Sequence, residues 1–151
     1  IYNRRYLVEY LNKKMKIESQ KFAVVLLDID DFKSINDQYG HIYGDQTLQA
    51  FSDSMKKNMD NKGIVTRFGG EEFMLVFDDI NHEVIEDTLN KVAEEFALYG
   101  KQSKGIELSF SGGVEVFYQE DEIVKLFNRA DHKLYYAKHT GKKKIVFDID
   151  V

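Results

Sequence analysis

Two groups of acids stand where strand ends ordinarily need none. Asp28-Ile29-Asp30-Asp31 closes a wholly apolar run at residues 22–27, and Glu71-Glu72 follows Gly69-Gly70 between two strand-like runs at 63–68 and 73–77. A Gly-Gly pair so placed reads as a tight hairpin with a type I′ turn, whose two central residues need φ > 0. The hairpin would present Glu71 and Glu72 at a strand mouth. Adjacent strand residues face opposite ways, so the two acids are expected to have different jobs. If the strand ending at Asp28 neighbours the hairpin, two carboxylates and a backbone carbonyl meet at one point. An oxygen-only set suits Mg²⁺ or Mn²⁺ rather than zinc. One strand-end acid alone is more often just solvated. A pair at two strand mouths, each beside an apolar run, argues for a cation.

The elements that must position these acids follow from periodicity. Residues 3–17 read as a helix with Tyr6, Leu7, Tyr10 and Leu11 on one face and Lys13, Lys14 and Lys16 outside. Residues 22–27 suit a strand buried on both faces. A short helical segment at 31–37 stops near Gly40, and a longer helix from about 43 to 59 carries Leu48, Phe51, Met55 and Met59. Asn81 is placed to cap a helix at 82–98, built on Ile85, Leu89, Val92 and Phe96. A loop from Tyr99 to Gly105 leads to a strand at 106–117, where Gly112-Gly113 marks a bulge or a close backbone approach. A helix at 121–138 has Ile123, Phe127, Ala130, Leu134 and Ala137 on one stripe, and a last strand covers 145–147. Phe51, Phe73, Leu75 and Phe127 read as core. The hairpin between helices favours an α+β fold with a central, mostly antiparallel five-stranded sheet flanked by helices.

The chain has 151 residues, enough for one domain with a real core; 43% are hydrophobic and 31% charged, as in a globular protein. No apolar run approaches a membrane span. The absence of cysteine excludes disulfides and thiolate zinc sites. A net charge of −5 with scattered Lys and Arg argues against a nucleic-acid groove but not against a single nucleotide. The chain begins at Ile1 rather than Met and is read as one domain, residues 1–151, cut from a longer regulatory protein.

Gly69-Gly70-Glu71-Glu72-Phe73 resembles the signature, in its GGEEF form, of GGDEF-domain diguanylate cyclases. The likeness extends further. Asp28-Ile29-Asp30-Asp31-Phe32-Lys33-Ser34-Ile35-Asn36-Asp37, then Gly40-His41 and Gly44-Asp45, follows the family's D-x-D-x-F-K-x-x-N-D, G-H-x-x-G-D spacing. Asn3-Arg4-Arg5 resembles its early N-R-R. Ala130-Asp131, Leu134-Tyr135, Ala137-Lys138 and Gly141-Lys142 resemble its late motif. Several spaced motifs in order are far more specific than one short string.

The resemblance implies a fold similar to nucleotide cyclases and polymerase palm domains. It implies condensation of two GTP into cyclic di-GMP, with loss of two pyrophosphates, at the interface of a homodimer. By resemblance, Asp28, the Ile29 carbonyl and Glu71 hold Mg²⁺ or Mn²⁺. Glu71 is base, ligand or both, and Glu72 joins or supports the ligands. The amides of Asp31 and Phe32 cradle phosphate, with Gly69 and Gly70 also at the substrate. Lys33, Lys138 and Lys142 neutralise the triphosphate, and Asn36 and Asp45 read guanine. Taken singly, Asn36 is also a local cap, Asp45 a first-turn acid and Lys138 a solvated lysine. Asp30, Asp37 and His41 read as capping or supporting groups. The resemblance implies a cytoplasmic domain without nucleic-acid or membrane contact, with an upstream sensor or dimerisation part that could anchor the full protein to a membrane.

The chain departs from the family pattern in three places. The D-x-L-T segment ahead of N-R-R is absent. Lys142 stands where many members have Arg, which keeps charge but loses a bidentate fork. Asp60-Asn61-Lys62-Gly63 replaces the R-x-x-D product-binding motif, so no product feedback is expected there. The rival readings are an idle GTP-binding or interaction module and, well below it, a phosphoacceptor receiver domain, which would want parallel β-α units.

Overall fold

A computed structural model describes residues 1–17, 21–118 and 122–148. The elements are β1 (Tyr2–Asn3), α1 (Arg4–Met15), β2 (Ala23–Ile29), α2 (Phe32–Asn58), β3 (Gly63–Arg67), β4 (Glu72–Phe77), α3 (His82–Lys104), β5 (Phe110–Val116), α4 (Ile123–His139) and β6 (Ile145–Val146). They form a sheet in the order β1-β3-β4-β2-β5-β6. The three central pairings are antiparallel, and the outer strands β1 and β6 are parallel to their neighbours. The sheet thus has six strands rather than five. The additional one is the short β1, where Tyr2 and Asn3 pair with Thr66 and Arg67 before Asn3 caps α1. The described start of the last helix is Ile123, and residue 121 lies outside the described residues.

The apolar run predicted to be buried on both faces is so. Val25, Leu27, Phe73 and Leu75 face α2 and α3 together with Phe51, Phe96 and Phe110. Val24, Leu26, Met74 and Val76 face Leu7 and Leu11 of α1 and Leu126, Ala130 and Leu134 of α4. Period two along β2 therefore sends Asp28 to the α1/α4 side. The predicted core set splits across the sheet: Phe51, Phe73 and Leu75 share one face, while Phe127 lies on the other, edge-on to Phe68 at 5.3 Å.

α2 is two helices joined at Gly40, whose φ of 87° and ψ of 164° are accessible to glycine. This matches the predicted stop. Asn81 caps α3, accepting from the amides of Glu83 and Val84. α3 outruns its predicted end, because Gly100 is not a loop residue. It lies inside the helix where a Cβ would fall 2.7 Å from the Ile106 carbonyl and Leu108. Residues 106–109 accordingly sit outside β5. Lys14 is not outside either: it pairs with Asp78 at 2.8 Å and is largely covered.

Gly112 and Gly113 make no bulge, since their register with Leu27 and Leu26 is continuous. They permit a close approach. A Cβ on Gly113 would lie 2.4 Å from the Ala130 carbonyl, and one on Gly112 2.5 Å from Leu27. α4 therefore rides directly on β5, which brings its last turn over the end of β2. Gly113→Ala is expected to lower stability by about 1–3 kcal/mol through overpacking, read as a lower midpoint in urea denaturation. An unchanged midpoint would contradict this contact.

Candidate nucleotide and metal site

The signature loop is built differently from the sequence expectation. Neither Gly69 nor Gly70 has φ in the left-handed region, so the turn is not type I′. Four residues, 68–71, separate β3 from β4. The loop closes through the amides of Phe68 and Gly69, which both donate to the Glu72 carbonyl at 2.8 and 3.1 Å. Arg67 donates from its guanidinium to the Gly70 carbonyl at 2.6 Å and to the Gly69 carbonyl at 3.3 Å. A Cβ on Gly70 would meet nothing within 4 Å, and one on Gly69 only ordinary contacts with Glu72. Neither conformation nor internal packing demands these glycines. What they leave is bare backbone facing outward.

Glu71 and Glu72 do not alternate along one strand. Glu71 ends the loop, with its carbonyl accepting from the Ile29 amide at 3.4 Å, and Glu72 opens β4 directly opposite Asp28. Like charges directly across a sheet repel. The cost is visible in the carboxyls. Burial, then the Asp28 charge, raises the Glu71 pKa. Burial, then Asp28, Asp131 and Glu71, raises that of Glu72, with Arg4 opposing. Burial raises Asp28 itself, against the lowering effect of Lys138. Both glutamates therefore share one electrostatic neighbourhood with Asp28.

Lys138 answers part of this charge. From the last turn of α4 its Nζ lies 3.1 Å from Asp28 Oδ1 and 2.8 Å from Asp30 Oδ1, and it donates to the Asp28 and Ile29 carbonyls at 3.3 and 3.2 Å. The Asp28 carboxylate and the Ile29 carbonyl thus converge on one cation. An all-oxygen set already gathered around an ammonium is chemically fitted to a small hard divalent ion. Among the described residues no group of three or more His, Cys, Asp or Glu side chains gathers as a metal cage. The oxygens that the structure does gather here are the Asp28 carboxylate and the Ile29 carbonyl, both on Lys138.

Asp30, expected to be a capping or supporting group, is the anchor of this corner. It is 5% exposed. Its Oδ1 accepts from Ser111 and Lys138 and its Oδ2 from Ser109 and the Lys143 amide. Burial would raise its pKa, but the bonds from Lys138, Ser111 and Ser109 outweigh it and lower the value. Asp30 stands one residue past the end of β2, two after Asp28, and both acids reach Lys138. Arg4, at 4.2 Å from the Phe68 ring, and Asp131 both act on Glu72, a role that their places in the sequence motifs do not reveal.

The remaining predicted residues lie along α2 and the following turn. Asp31 has φ 56° and is the N-cap without a side-chain cap bond, so the first amides of α2 open at the end of β2. Phe32 is buried and Lys33 exposed. Lys142 reaches Asp31 Oδ1 at 2.6 Å. A Cβ on Gly44 would lie 1.8 Å from Asn36 Oδ1, so Asn36 rests on the glycine just before Asp45. Asp45 is exposed, and Asn36 half-buried. Asp37 and His41 are exposed on either side of the Gly40 break.

The family profile described as "Diguanylate cyclase, GGDEF domain" matches residues 1–144. The chain is 35% identical to the probable diguanylate cyclase DgcF of Escherichia coli K12 over 152 residues, covering 95% of this chain and 48% of that protein. It is 34% identical to the uncharacterized membrane protein SERP0413 of Staphylococcus epidermidis, over 91% of this chain and 40% of that protein. The chain thus spans about half or less of these relatives' length. Among solved structures, diguanylate cyclase SiaD of Pseudomonas aeruginosa, in complex with its activator SiaC, superposes with a TM-score of 0.87 at 28% identity, over 97% of this chain and 58% of that one. The active GGEEF domain of a diguanylate cyclase from Vibrio cholerae does so with 0.82 at 25% identity, over 99% of both chains. With the profile spanning residues 1–144, this chain belongs to the GGDEF-domain family of diguanylate cyclases.

Proposed function

We propose that this domain condenses two GTP into cyclic di-GMP, releasing two pyrophosphates, with each of two facing copies holding one GTP. The observation that carries this reading is the gathering of the Asp28 carboxylate and the Ile29 carbonyl around one cation, beside Glu71. Asp28, Ile29 and Glu71 would hold Mg²⁺ or Mn²⁺, which supplies charge neutralisation of the α-phosphoryl and the leaving pyrophosphate. Glu71 is also a candidate to accept the proton of the attacking 3′-hydroxyl; burial, then the Asp28 charge, raises its pKa, with Lys138 opposing. Glu72 supports it from the strand.

The rest of the nucleotide follows from chemistry. The amides at Asp31 and Phe32 face the phosphates at a helix start. Lys33, Lys138 and Lys142 supply cations. Lys142 must leave Asp31 to do so. Gly69 and Gly70 admit the substrate against bare backbone. Asp45 accepts from guanine N1–H and the 2-amino group, and Asn36 completes the edge. Adenine would leave Asp45 unpaired. The domain would work in the cytoplasm as part of a longer, regulated protein, which a membrane segment elsewhere in the protein could anchor. Among the described residues no helix is long and apolar enough to cross a membrane. The idle-module reading has less support, because the acids and the GGEEF form of the Vibrio cholerae domain described as active are both retained.

Incubation with GTP and Mg²⁺ at high protein concentration is expected to give cyclic di-GMP by chromatography. Glu71→Gln and Asp28→Asn should each reduce the rate by about two to three orders of magnitude. GTP that binds without yielding product would instead favour the idle module.

The departure at residues 60–63 also has a structural basis. Lys62 turns inward, donating to the Asn58 carbonyl at 3.0 Å and Thr88 Oγ1 at 3.2 Å. A Cβ on Gly63 would fall 1.7 Å from the Val76 carbonyl, so no carboxylate fits there without moving the strand. Calorimetric titration with cyclic di-GMP is expected to show no site that depends on Lys62. Tight binding abolished by Lys62→Ala would contradict this.

A further inference from the structure

We propose that Lys138 is a resident counter-ion that competes with the divalent cation for the Asp28 and Ile29 oxygens, and that Asp30 retains the lysine when the metal displaces it. This deepens the metal-site reading above and rests on it.

The argument is geometric. An ammonium has three N–H donors, yet Lys138 Nζ has four oxygens within reach: Asp30 Oδ1 at 2.8 Å, Asp28 Oδ1 at 3.1 Å and the Ile29 and Asp28 carbonyls at 3.2 and 3.3 Å. Only the bond to Asp30 is short. The contacts with Asp28 and Ile29 are longer and shared, so they yield first. A divalent ion bonded to those two oxygens at about 2.1 Å would sit almost against Nζ. Two cations at that separation repel strongly.

Asp30 is built to stay. Ser109, Ser111 and the Lys143 amide hold both its oxygens whatever Lys138 does. Its carboxylate is therefore a fixed pivot, 5% exposed, on the same ammonium that Asp28 shares. A lysine released from Asp28 but kept by Asp30 remains beside the site, free to meet the triphosphate that arrives with the metal. Metal and nucleotide binding are then positively coupled through one side chain. A lysine that only neutralised Asp28 would also weaken metal binding, but it would stay in place when the metal arrives, so its displacement is what marks competition.

The test is a Mn²⁺ titration without nucleotide, read by the electron paramagnetic resonance of free Mn²⁺, on wild type, Lys138→Met and Asp28→Asn. Lys138→Met is expected to bind Mn²⁺ about tenfold more tightly than wild type, and Asp28→Asn to lose binding. Equal or weaker binding by Lys138→Met, with Asp28→Asn still abolishing it, overturns the competition and leaves the metal site standing. Binding that does not depend on Asp28 in any variant overturns both. A second measurement needs no variant. Acetylation of Lys138 in the wild type, followed by mass spectrometry, should rise several-fold at a Mg²⁺ concentration that competes away bound Mn²⁺. Unchanged labelling at that concentration overturns the proposal.

Discussion

The fold concentrates like charge at one point, the end of its central strand. Asp28 stands directly opposite Glu72, with Glu71 beside them and Asp131 acting from α4. Nothing in the packing of a sheet asks for this, and repulsion across a strand pair works against it. The arrangement is tenable because cations oppose it: Lys138 from one side and Arg4 from another. The divalent ion and triphosphate proposed for this corner would need such an imbalance, partly corrected by groups that can be exchanged.

The rest of the molecule serves that corner. β2 is the fourth of six strands, so its end is flanked by the starts of β4 and β5. Those antiparallel neighbours bring Glu72 and Ser111 level with Asp28 without any long excursion of chain. Gly113 on β5 lets α4 lie against the sheet, and only then does Lys138 reach across the strand end. The break at Gly40 turns α2 back on itself, which sets Asn36 against Gly44 next to Asp45. Backbone requirements and side-chain chemistry are satisfied by the same residues.

Much of this was legible in the sequence. The wholly apolar run at 22–27 announced a strand buried on both faces, and the acids after it announced the open end. The Asn81 cap, the Gly40 break and the helix stripes followed from local rules. What failed did so for tertiary reasons. Gly100 reads as a loop residue by propensity, yet its lack of a side chain serves packing against Leu108 inside α3. The two-residue β1 is too short to carry a pattern and exists only because β3 offers an edge. Gly69-Gly70 follows the rule for a tight hairpin, but here glycine keeps a surface bare instead of enabling positive φ. The hub role of Asp30 depends on Ser109 and Ser111, about eighty residues later in the chain, and no local pattern connects them.

The claim that binds these points together is that the end of β2 is a cation site shared by Asp28, Ile29 and Glu71. Anomalous diffraction from crystals grown with Mn²⁺ and a non-hydrolysable GTP analogue addresses it directly. The account predicts a peak within about 2.2 Å of the Asp28 carboxylate and the Ile29 carbonyl, with Glu71 adjoining and Lys138 turned to phosphate. A metal held by the nucleotide alone, with Lys138 still on Asp28, would contradict it.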